Sequence, residues 1–180
     1  MPSQTFLNLN PEKQARIYAA LLTEFSAYPL AKAQVARIVK EAQIARGAFY
    51  KYFADLNDAY QTLWRRSLHQ IHSQEELAGQ LAQTPADYTN QVRQFLTTGA
   101  QQGLRELLRL HYSTNEAYLG LAAVPTMGPR FNAQTWAVMT LTHQAMKECL
   151  MEPDREGAIL TRLEQALTAL MGGQVHVSGD

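Results

Sequence analysis

Two short amphipathic segments joined by a four-residue turn constrain this chain more than any other feature. They lie within residues 34–53, which read QVARIVKEAQIARGAFYKYF. Their apolar residues recur at intervals of three and four, the pattern of one face of an α-helix. These residues are Val35, Ile38, Val39 and Ala42 in the first segment, and Ile44, Ala48, Phe49, Tyr52 and Phe53 in the second. Because the joint at 42–45 is so short, the pattern predicts two helices held at a large angle, a helix-turn-helix.

The second segment presents polar and basic side chains on the side that its apolar face leaves free. These residues are Arg46, Gly47, Tyr50 and Lys51. Arginine, lysine and tyrosine bond phosphate oxygens, and arginine also bonds the edge of guanine in the major groove. We therefore interpret the second segment as the recognition helix of a DNA-binding protein.

The stretch resembles the DNA-binding segment of the TetR family of bacterial transcriptional regulators. The residues that carry the resemblance are Val35, Ile38, Lys40, Glu41, Ala42, Ile44, Gly47, Phe49, Tyr50 and Phe53. The most specific part is the run RGAFYKYF at 46–53, which is followed by Asp55 and the start of another helix. Four residues depart from the family pattern. Gln43 stands where the turn glycine is usual, Ala45 replaces a Ser or Thr helix cap, and Tyr52 and Asn57 replace a common histidine and a common lysine.

Arg46, Tyr50 and Lys51 are the leading candidates for DNA contacts. Arg46 opens the recognition helix and suits a guanine edge or a phosphate. Tyr50 resembles the phosphate-binding tyrosine of the family, and Lys51 adds positive charge near the DNA backbone. Basic residues elsewhere in the head, such as Arg16 and Arg37, are interpreted as solvated surface charges.

Four further residues complete the predicted DNA surface. Gly47 has no side chain and lets the helix start approach DNA closely, and Ala48 suits a thymine methyl group. Gln34 precedes the first helix and suits a phosphate through its amide or a neighbouring backbone N–H. Tyr52 suits a phosphate contact and a ring in the core equally well.

The rest of the chain carries helix signals and no period-two strand pattern, which predicts an all-α fold. Predicted helices cover residues 10–28, 55–79, 85–101, 104–111, 115–123, 131–151 and 154–171, with a kink at Gly103. Asn10 and Asp55 are the expected N-caps, and Pro29 ends the first helix. We expect a three-helix DNA-binding head at 1–54, and a helical ligand-binding and dimerisation body at 55–180 that helix 55–79 connects to the head.

The resemblance implies a small-molecule effector site between helix 55–79 and the helices that follow it. The candidate residues are Trp64, Leu68, Tyr88, Phe95, His111, Tyr112, Tyr118, Met127, Trp136, Met139 and His143. Such residues at helical spacing are more often plain core, so each is a candidate only. A mostly apolar wall with a few polar tips suits a flat or hydrophobic ligand, and by resemblance its binding changes the spacing of the heads.

The last two predicted helices form a hairpin that, by resemblance, pairs with its copy in a homodimer. The expected interface residues are Trp136, Met139, Met146, Leu150, Ile159, Leu163, Leu167 and Leu170. A dimer with recognition helices about 34–36 Å apart reads successive turns of a palindromic DNA operator. The alternative is a hairpin that packs wholly on its own body.

Charge is distributed unevenly along this chain of zero formal net charge. Residues 1–72 carry nine Lys or Arg and five Asp or Glu, a net charge of +4, and the remainder carries −4. A basic head on an acidic body is expected of a DNA-reading protein. The excess is small and gives weak support by itself.

Other functions have weaker signals. No apolar run reaches the ~18 residues of a membrane helix, no secretion signal is visible, and the single Cys149 forms no internal disulfide. We therefore expect a cytoplasmic protein without membrane association. Catalytic motifs are absent, so we expect no enzyme and no cofactor. His69 and His72 lie one turn apart, but two ligands make a weak site and we expect no metal. The rivals are a TetR-fold coactivator or adaptor that acts through protein contacts without DNA, and a small helical ligand-binding protein or enzyme.

Overall fold

The computed structural model describes residues 2–76, 83–120 and 132–172, and within these ranges it consists of helices and turns without a strand. The all-α prediction is confirmed. The α-helices are α1 (Gln4–Leu7), α2 (Pro11–Ala27), α3 (Val35–Glu41), α4 (Arg46–Tyr52), α5 (Leu56–Glu76), α6 (Pro85–Gln101), α7 (Arg105–Leu110), α8 (Glu116–Tyr118), α9 (Ala133–Met151) and α10 (Glu156–Gly172). Two 3-10 turns cover Leu30–Lys32 and Pro153–Arg155, and a π-helical turn covers His111–Asn115. The predictions for residues 77–79 and 121–131, Met127 included, lie outside the described residues.

Capping side chains begin the long helices where the sequence predicts. The Asn10 side chain accepts a hydrogen bond from the Lys13 N–H (2.8 Å) and begins α2. The Asp55 carboxylate accepts from the Asp58 N–H (2.7 Å) and begins α5. Both residues satisfy an amide that the first helical turn leaves unpaired. The predicted caps are therefore confirmed.

The head is built from α2, α3 and α4, and α1 adds a short helix that the sequence analysis did not predict. Phe6 of α1 is fully buried and packs against Phe53, with ring centroids 4.9 Å apart. The Ser3 N–H donates to the Tyr52 carbonyl (2.9 Å), and the Ser3 hydroxyl donates to the Lys51 carbonyl (2.6 Å). The N-terminal segment thus braces the end of the recognition helix. Its sequence signal is Ser3 three residues before Phe6, a capping serine that bonds the Phe6 N–H.

The apolar core of the head continues into the body without a break. Buried residues of the head form one cluster with residues of α5 and α7 such as Tyr60 and Leu107. A second cluster lies where α6, α9 and α10 meet, around Val138 and Leu163. Gly103, with a φ of +71°, forms the tight turn between α6 and α7, where a kink was predicted. Among the described helices, none is long and apolar enough to span a membrane.

Candidate DNA-binding surface and effector core

The turn between α3 and α4 keeps a left-handed backbone although it has no glycine. Gln43 adopts a φ of +52°, and it is the one non-glycine residue with positive φ in the described part of the chain. After it the chain reverses, and the Ile44 N–H donates to the Val39 carbonyl (3.0 Å). The turn geometry therefore survives the replacement of glycine, at the cost of a conformation that disfavours other residues.

The recognition helix α4 begins without a side-chain cap. Ala45 occupies the N-cap position in an extended conformation and makes no capping hydrogen bond. The helix is nevertheless held firmly, because Phe49 is fully buried beneath it and the Phe53 N–H closes its last turn on the Phe49 carbonyl (2.9 Å). Tertiary packing thus replaces the cap as the source of its stability.

The predicted contact residues of α4 lie together on its exposed face. Arg46, Gly47, Tyr50 and Lys51 are exposed, and Ala48 is half-buried. A Cβ placed on Gly47 would meet no atom within 4 Å, so the surface there is open. The Arg46 guanidinium bonds the Tyr50 hydroxyl (3.3 Å), and its Cζ lies 5.7 Å from the centre of the Tyr50 ring. A basic, hydrogen-bonding ridge therefore points away from the core.

Tyr52 does not belong to this ridge, which corrects one expected DNA contact. Its side chain is 5% exposed, and its ring packs 5.9 Å from that of Phe6. Of the two roles that the sequence allows for Tyr52, a phosphate contact and a core ring, the structure shows the core ring. The residue lies on the inner side of α4 because α1 covers that side, and α1 was not among the predicted helices.

Gln34 precedes α3 with an exposed side chain but an occupied backbone. Its N–H donates to the Glu24 carboxylate (2.7 Å), so its own backbone amide is not available to a phosphate. The side-chain amide makes no capping bond to α3. The predicted phosphate contact of Gln34 is thus restricted to its side chain or to an amide that follows it.

Glu24 and Arg37 form an ion pair, whereas the sequence predicted a solvated charge at Arg37. The carboxylate of Glu24 is buried, and the guanidinium of Arg37 donates to it at 2.6 and 2.7 Å. This hydrogen bonding raises the pKa of Arg37. Arg37 also lies 3.9 Å from the ring centre of Tyr28. The pair ties α2 to the start of α3, and its sequence signal is an acid three residues after Leu21 and next to Phe25, on a buried stripe.

Arg16 is likewise not free at the surface. Its Nε donates to the Ala42 carbonyl (2.9 Å) at the end of α3. A cation near a helix C-terminus satisfies a carbonyl and complements the helix dipole. Two of the residues interpreted as solvated charges therefore hold the helix-turn-helix in shape.

Part of the predicted effector site forms one stacked cluster, which we call the effector core: Tyr60, Trp64, His111, Tyr112 and His143. The Trp64 and His111 rings stack with centroids 3.6 Å apart, and Tyr112 meets His143 edge to face at 5.1 Å. The Tyr60 hydroxyl lies 2.8 Å from Nδ1 of His111. Tyr60 stands one helical turn before Trp64 and was not among the predicted residues.

Burial sets the charge state of the histidines in the effector core. It lowers the pKa of His111 to about 4, although the nearby Glu116 opposes the shift. It also lowers the pKa of His143, whose Nε2 lies 3.4 Å from a Glu116 oxygen. The other Glu116 oxygen bonds Lys147 at 2.9 Å. At neutral pH His111 is therefore uncharged, and its Nδ1 can accept a hydrogen bond from the Tyr60 hydroxyl.

The remaining effector candidates are dispersed. Phe95 is buried in the shared core, Leu68 packs against it, and Tyr88 packs against the second cluster. Tyr118, Trp136 and Met139 are exposed, at 55%, 52% and 37%. In the protomer these three side chains face solvent and do not join the effector core, so their contact with a ligand stays a prediction.

The predicted dimer residues divide into an exposed and a buried group. Trp136 and Met139 are exposed, and Met146 and Leu170 are half-buried. The buried group comprises Leu150, Ile159, Leu163 and Leu167, each at most 4% exposed. Side chains this deeply buried in the protomer offer a second copy almost no surface, which corrects the expectation for these four. They face inward because α10 packs on both α9 and α6.

Two candidates for other chemistry gain nothing from the structure. Cys149 is buried, and burial raises its pKa to about 11, which suppresses the nucleophilic thiolate. His69 is exposed, and the side chain of His72 lies outside the described part. Within the described residues, no group of three or more His, Cys, Asp or Glu side chains is placed to hold a metal ion.

Comparison with known proteins supports the assignment of α3, the turn and α4 as a helix-turn-helix. Residues 17–55 match the family described as bacterial regulatory proteins, tetR family. No curated protein sequence matches the chain significantly. The matched segment contains α3, the turn at Gln43 and α4, which are the elements that carry the exposed ridge.

Solved structures resemble the chain over about nine tenths of its length. A TetR-like transcriptional regulator from Rhodococcus sp. RHA1 has a TM-score of 0.62 at 14% identity, over 92% of this chain and 99% of that one. The fatty acid degradation regulator FadR from Bacillus halodurans has a TM-score of 0.58 at 14% identity, over 94% and 99%. FadR from Bacillus subtilis, in complex with stearoyl-CoA, has a TM-score of 0.53 at 15% identity, over 88% and 98%. At these identities the likeness shows the fold alone. The chain thus has the fold of TetR-family transcriptional regulators, and its resemblance to that family is confirmed.

Proposed function

We propose that this chain, with its TetR-type fold, is a DNA-binding transcriptional repressor that acts as a homodimer on a palindromic operator in the cytoplasm. The observation that carries the proposal is the exposed ridge of Arg46, Tyr50 and Lys51 on a helix whose opposite face is locked in the core. A rigid helix with cationic and hydroxyl groups on one side suits the major groove and its flanking phosphates. The head at 1–54 reads DNA, and the body at 55–180 dimerises and senses a ligand.

The contacts are assigned by chemistry and position. Arg46 exchanges its bond with Tyr50 for a guanine edge or a phosphate, and Tyr50 and Lys51 bond phosphates. Gly47 and Ala48 allow the helix start to approach the bases. Gln34 reaches a phosphate with its side-chain amide. Tyr52 is left out, because it is part of the core that holds α4.

Dimerisation uses the outer face of α9. Trp136 and Met139 lie one turn apart there and are large apolar side chains in contact with solvent in the protomer. Tryptophan and methionine are enriched where proteins associate. The half-buried Met146 and Leu170 extend this surface. A second copy on this face places two recognition helices on the two halves of a palindrome.

The effector enters at the effector core, where rings rather than aliphatic groups meet. Because Trp64 and His111 are in contact at 3.6 Å between centroids, a ligand must separate or replace this stack. An aromatic or otherwise flat molecule with a hydrogen-bonding group offers the best replacement. Such a ligand releases DNA if it favours an arrangement of the heads that no longer fits the operator.

The test is selection of random DNA duplexes by the purified protein, followed by a salt titration of the enriched sequences. We expect a palindrome whose affinity falls steeply with salt, because phosphate contacts release counterions. Arg93→Ala serves as a control, because it removes a cation from the exposed surface of α6 in the body and leaves the head unchanged. Enrichment of no sequence by the wild-type protein would contradict the proposal, and would favour an adaptor that acts through protein contacts.

A further inference from the structure

A π-helical turn lies where the body meets the head. It covers His111–Asn115 between α7 and α8, and α7 packs against α2 of the head. Its inward side chains are His111, Tyr112 and Asn115, at 4%, 9% and 0% exposed. A π turn holds one residue more than an α turn, so the helix can change register there, and such turns are frequent at functional sites.

Asn115 makes a direct hydrogen bond from this turn to the head. Its Oδ1 accepts the Leu30 N–H at 2.8 Å, in a buried site and across 85 positions of sequence. Leu30 is itself buried, and it begins the 3-10 turn that leads into α3. The bond therefore holds the backbone of the segment that positions the helix-turn-helix.

The side-chain amide of Asn115 also carries a hydrogen-bond donor, Nδ2, that the bond to Leu30 does not use. Its Nδ2 is buried and makes no hydrogen bond of normal geometry. A buried polar group of this kind is retained at a cost to stability, which indicates a role other than filling the core. The Asn115 side chain also lies close enough to the Tyr60 hydroxyl of the effector core to act on it as a hydrogen-bond partner, which opposes the rise in the Tyr60 pKa that burial causes.

We propose that Asn115 is a latch that sets the orientation of the DNA-binding head on the body, through its bond to the Leu30 backbone. The inference rests on the proposed function, because orientation matters only if two heads must match an operator. His111 and Tyr112 of the effector core belong to the same π turn as Asn115. A ligand that separates Trp64 from His111 thus acts on the turn that carries the latch, and a register shift of the turn withdraws Asn115 from Leu30.

The test compares three variants at this position. Asn115→Leu has a similar size but no acceptor, Asn115→Ser is small and polar in case leucine prevents folding, and Asn115→Asp keeps an acceptor oxygen. Val138→Ala is the matched control, because it weakens the second cluster of the body without touching the head. All proteins are first compared in thermal unfolding.

Orientation is measured without DNA from the distance distribution between spin labels. The labels are placed at the exposed Ala36 of α3 and the exposed Gln94 of α6, in a Cys149→Ala background, and labelled protein is diluted with unlabelled protein. We expect a narrow distribution for the wild-type protein, Asn115→Asp and Val138→Ala. For Asn115→Leu and Asn115→Ser we expect a shifted or broader one. A distribution that stays the same in every variant would overturn the latch.

The functional readout is the affinity for the selected operator and for versions with one base pair added or removed between the half-sites. The wild-type protein and Val138→Ala should lose about tenfold or more on the altered spacings. Asn115→Leu should lose no more than about twofold, because a loosened head tolerates the wrong spacing. Equal discrimination in all proteins refutes the latch. Failure of the wild-type protein to select an operator refutes the proposed function instead, and the label distances then decide on the latch.

Discussion

Replacing Gln43 by glycine should stabilise the protein, and this prediction tests the argument about the turn most directly. Gln43 holds a φ of +52° on the exposed surface between α3 and α4. A left-handed backbone costs a residue with a side chain about 1–2 kcal/mol. Glycine has more freedom in the unfolded chain, which costs about 0.4–1 kcal/mol. The net gain in the free energy of unfolding is therefore about 1 kcal/mol.

The assay is urea-induced unfolding followed by circular dichroism, at one fixed protein concentration because association shifts the transition. In a thermal scan of the same proteins, 1 kcal/mol corresponds to a rise in Tm of about 2–4 °C for a chain of this length. Gln43→Ala keeps the strain and should give no gain. Ala19→Gly, on the exposed side of α2, should lose about 1 kcal/mol, because there glycine only adds freedom to the unfolded chain. A Gln43→Gly protein that is less stable than the wild type would refute the reasoning.

Four further predictions follow from named contacts. Ala45→Ser should add the missing cap of α4 and stabilise the protein by about 1 kcal/mol in the same urea assay; no change would mean that the first-turn amides are already satisfied. Glu24→Gln should lower the free energy of unfolding by about 2 kcal/mol, because it removes charge-assisted bonds to Arg37 from a buried site, and an unchanged urea midpoint would contradict this. In equilibrium binding to the selected operator, Arg46→Ala should change the base preference at one position by about 1–3 kcal/mol. Lys51→Ala should instead weaken binding to all sequences alike and reduce the slope of affinity against salt by about one. Unchanged binding in both variants would show that α4 is not part of the DNA interface. Burial lowers the pKa of His111 to about 4 in the folded protein, below the ordinary 6.5. Between these two values the unfolded chain binds more protons than the folded protein, so stability should fall as the pH drops from about 6.5 towards 4. The loss should approach about 3 kcal/mol and shrink in His111→Gln, and an equally steep profile in that variant would assign the effect to other groups.

Sequence patterns were sufficient for the parts of the fold that depend on local chemistry. Asn10 and Pro11 begin α2, and Pro29 ends it, because capping and proline geometry act over a few residues. The recognition helix was located in the same way, since its apolar residues repeat at helical spacing. The exposed side of that helix followed directly, because the residues left over by an apolar stripe must face outward.

The sequence did not show which faces of the later helices are buried in the protomer. In the hairpin, both sides of α9 and α10 carry apolar residues, so periodicity did not indicate which side meets α6. Leu163 and Leu167 were therefore assigned to a dimer surface, although they fill the protomer core. A pattern of one helix reports that a face is apolar, but its partner is chosen by packing among helices that are distant in sequence.

The sequence by itself determined the longer helices, the caps of α2 and α5 and the residue types on the exposed ridge of α4, because these depend on interactions within about one helical turn. Only the tertiary structure decided that Gln43 takes a left-handed backbone, that Tyr52 lies in the core and that Arg37 pairs with Glu24. It also brought Asn115 to the Leu30 N–H, 85 positions away. The physical reason is that buried polar and strained groups are stabilised by partners which the chain supplies from elsewhere, and no local pattern records those partners.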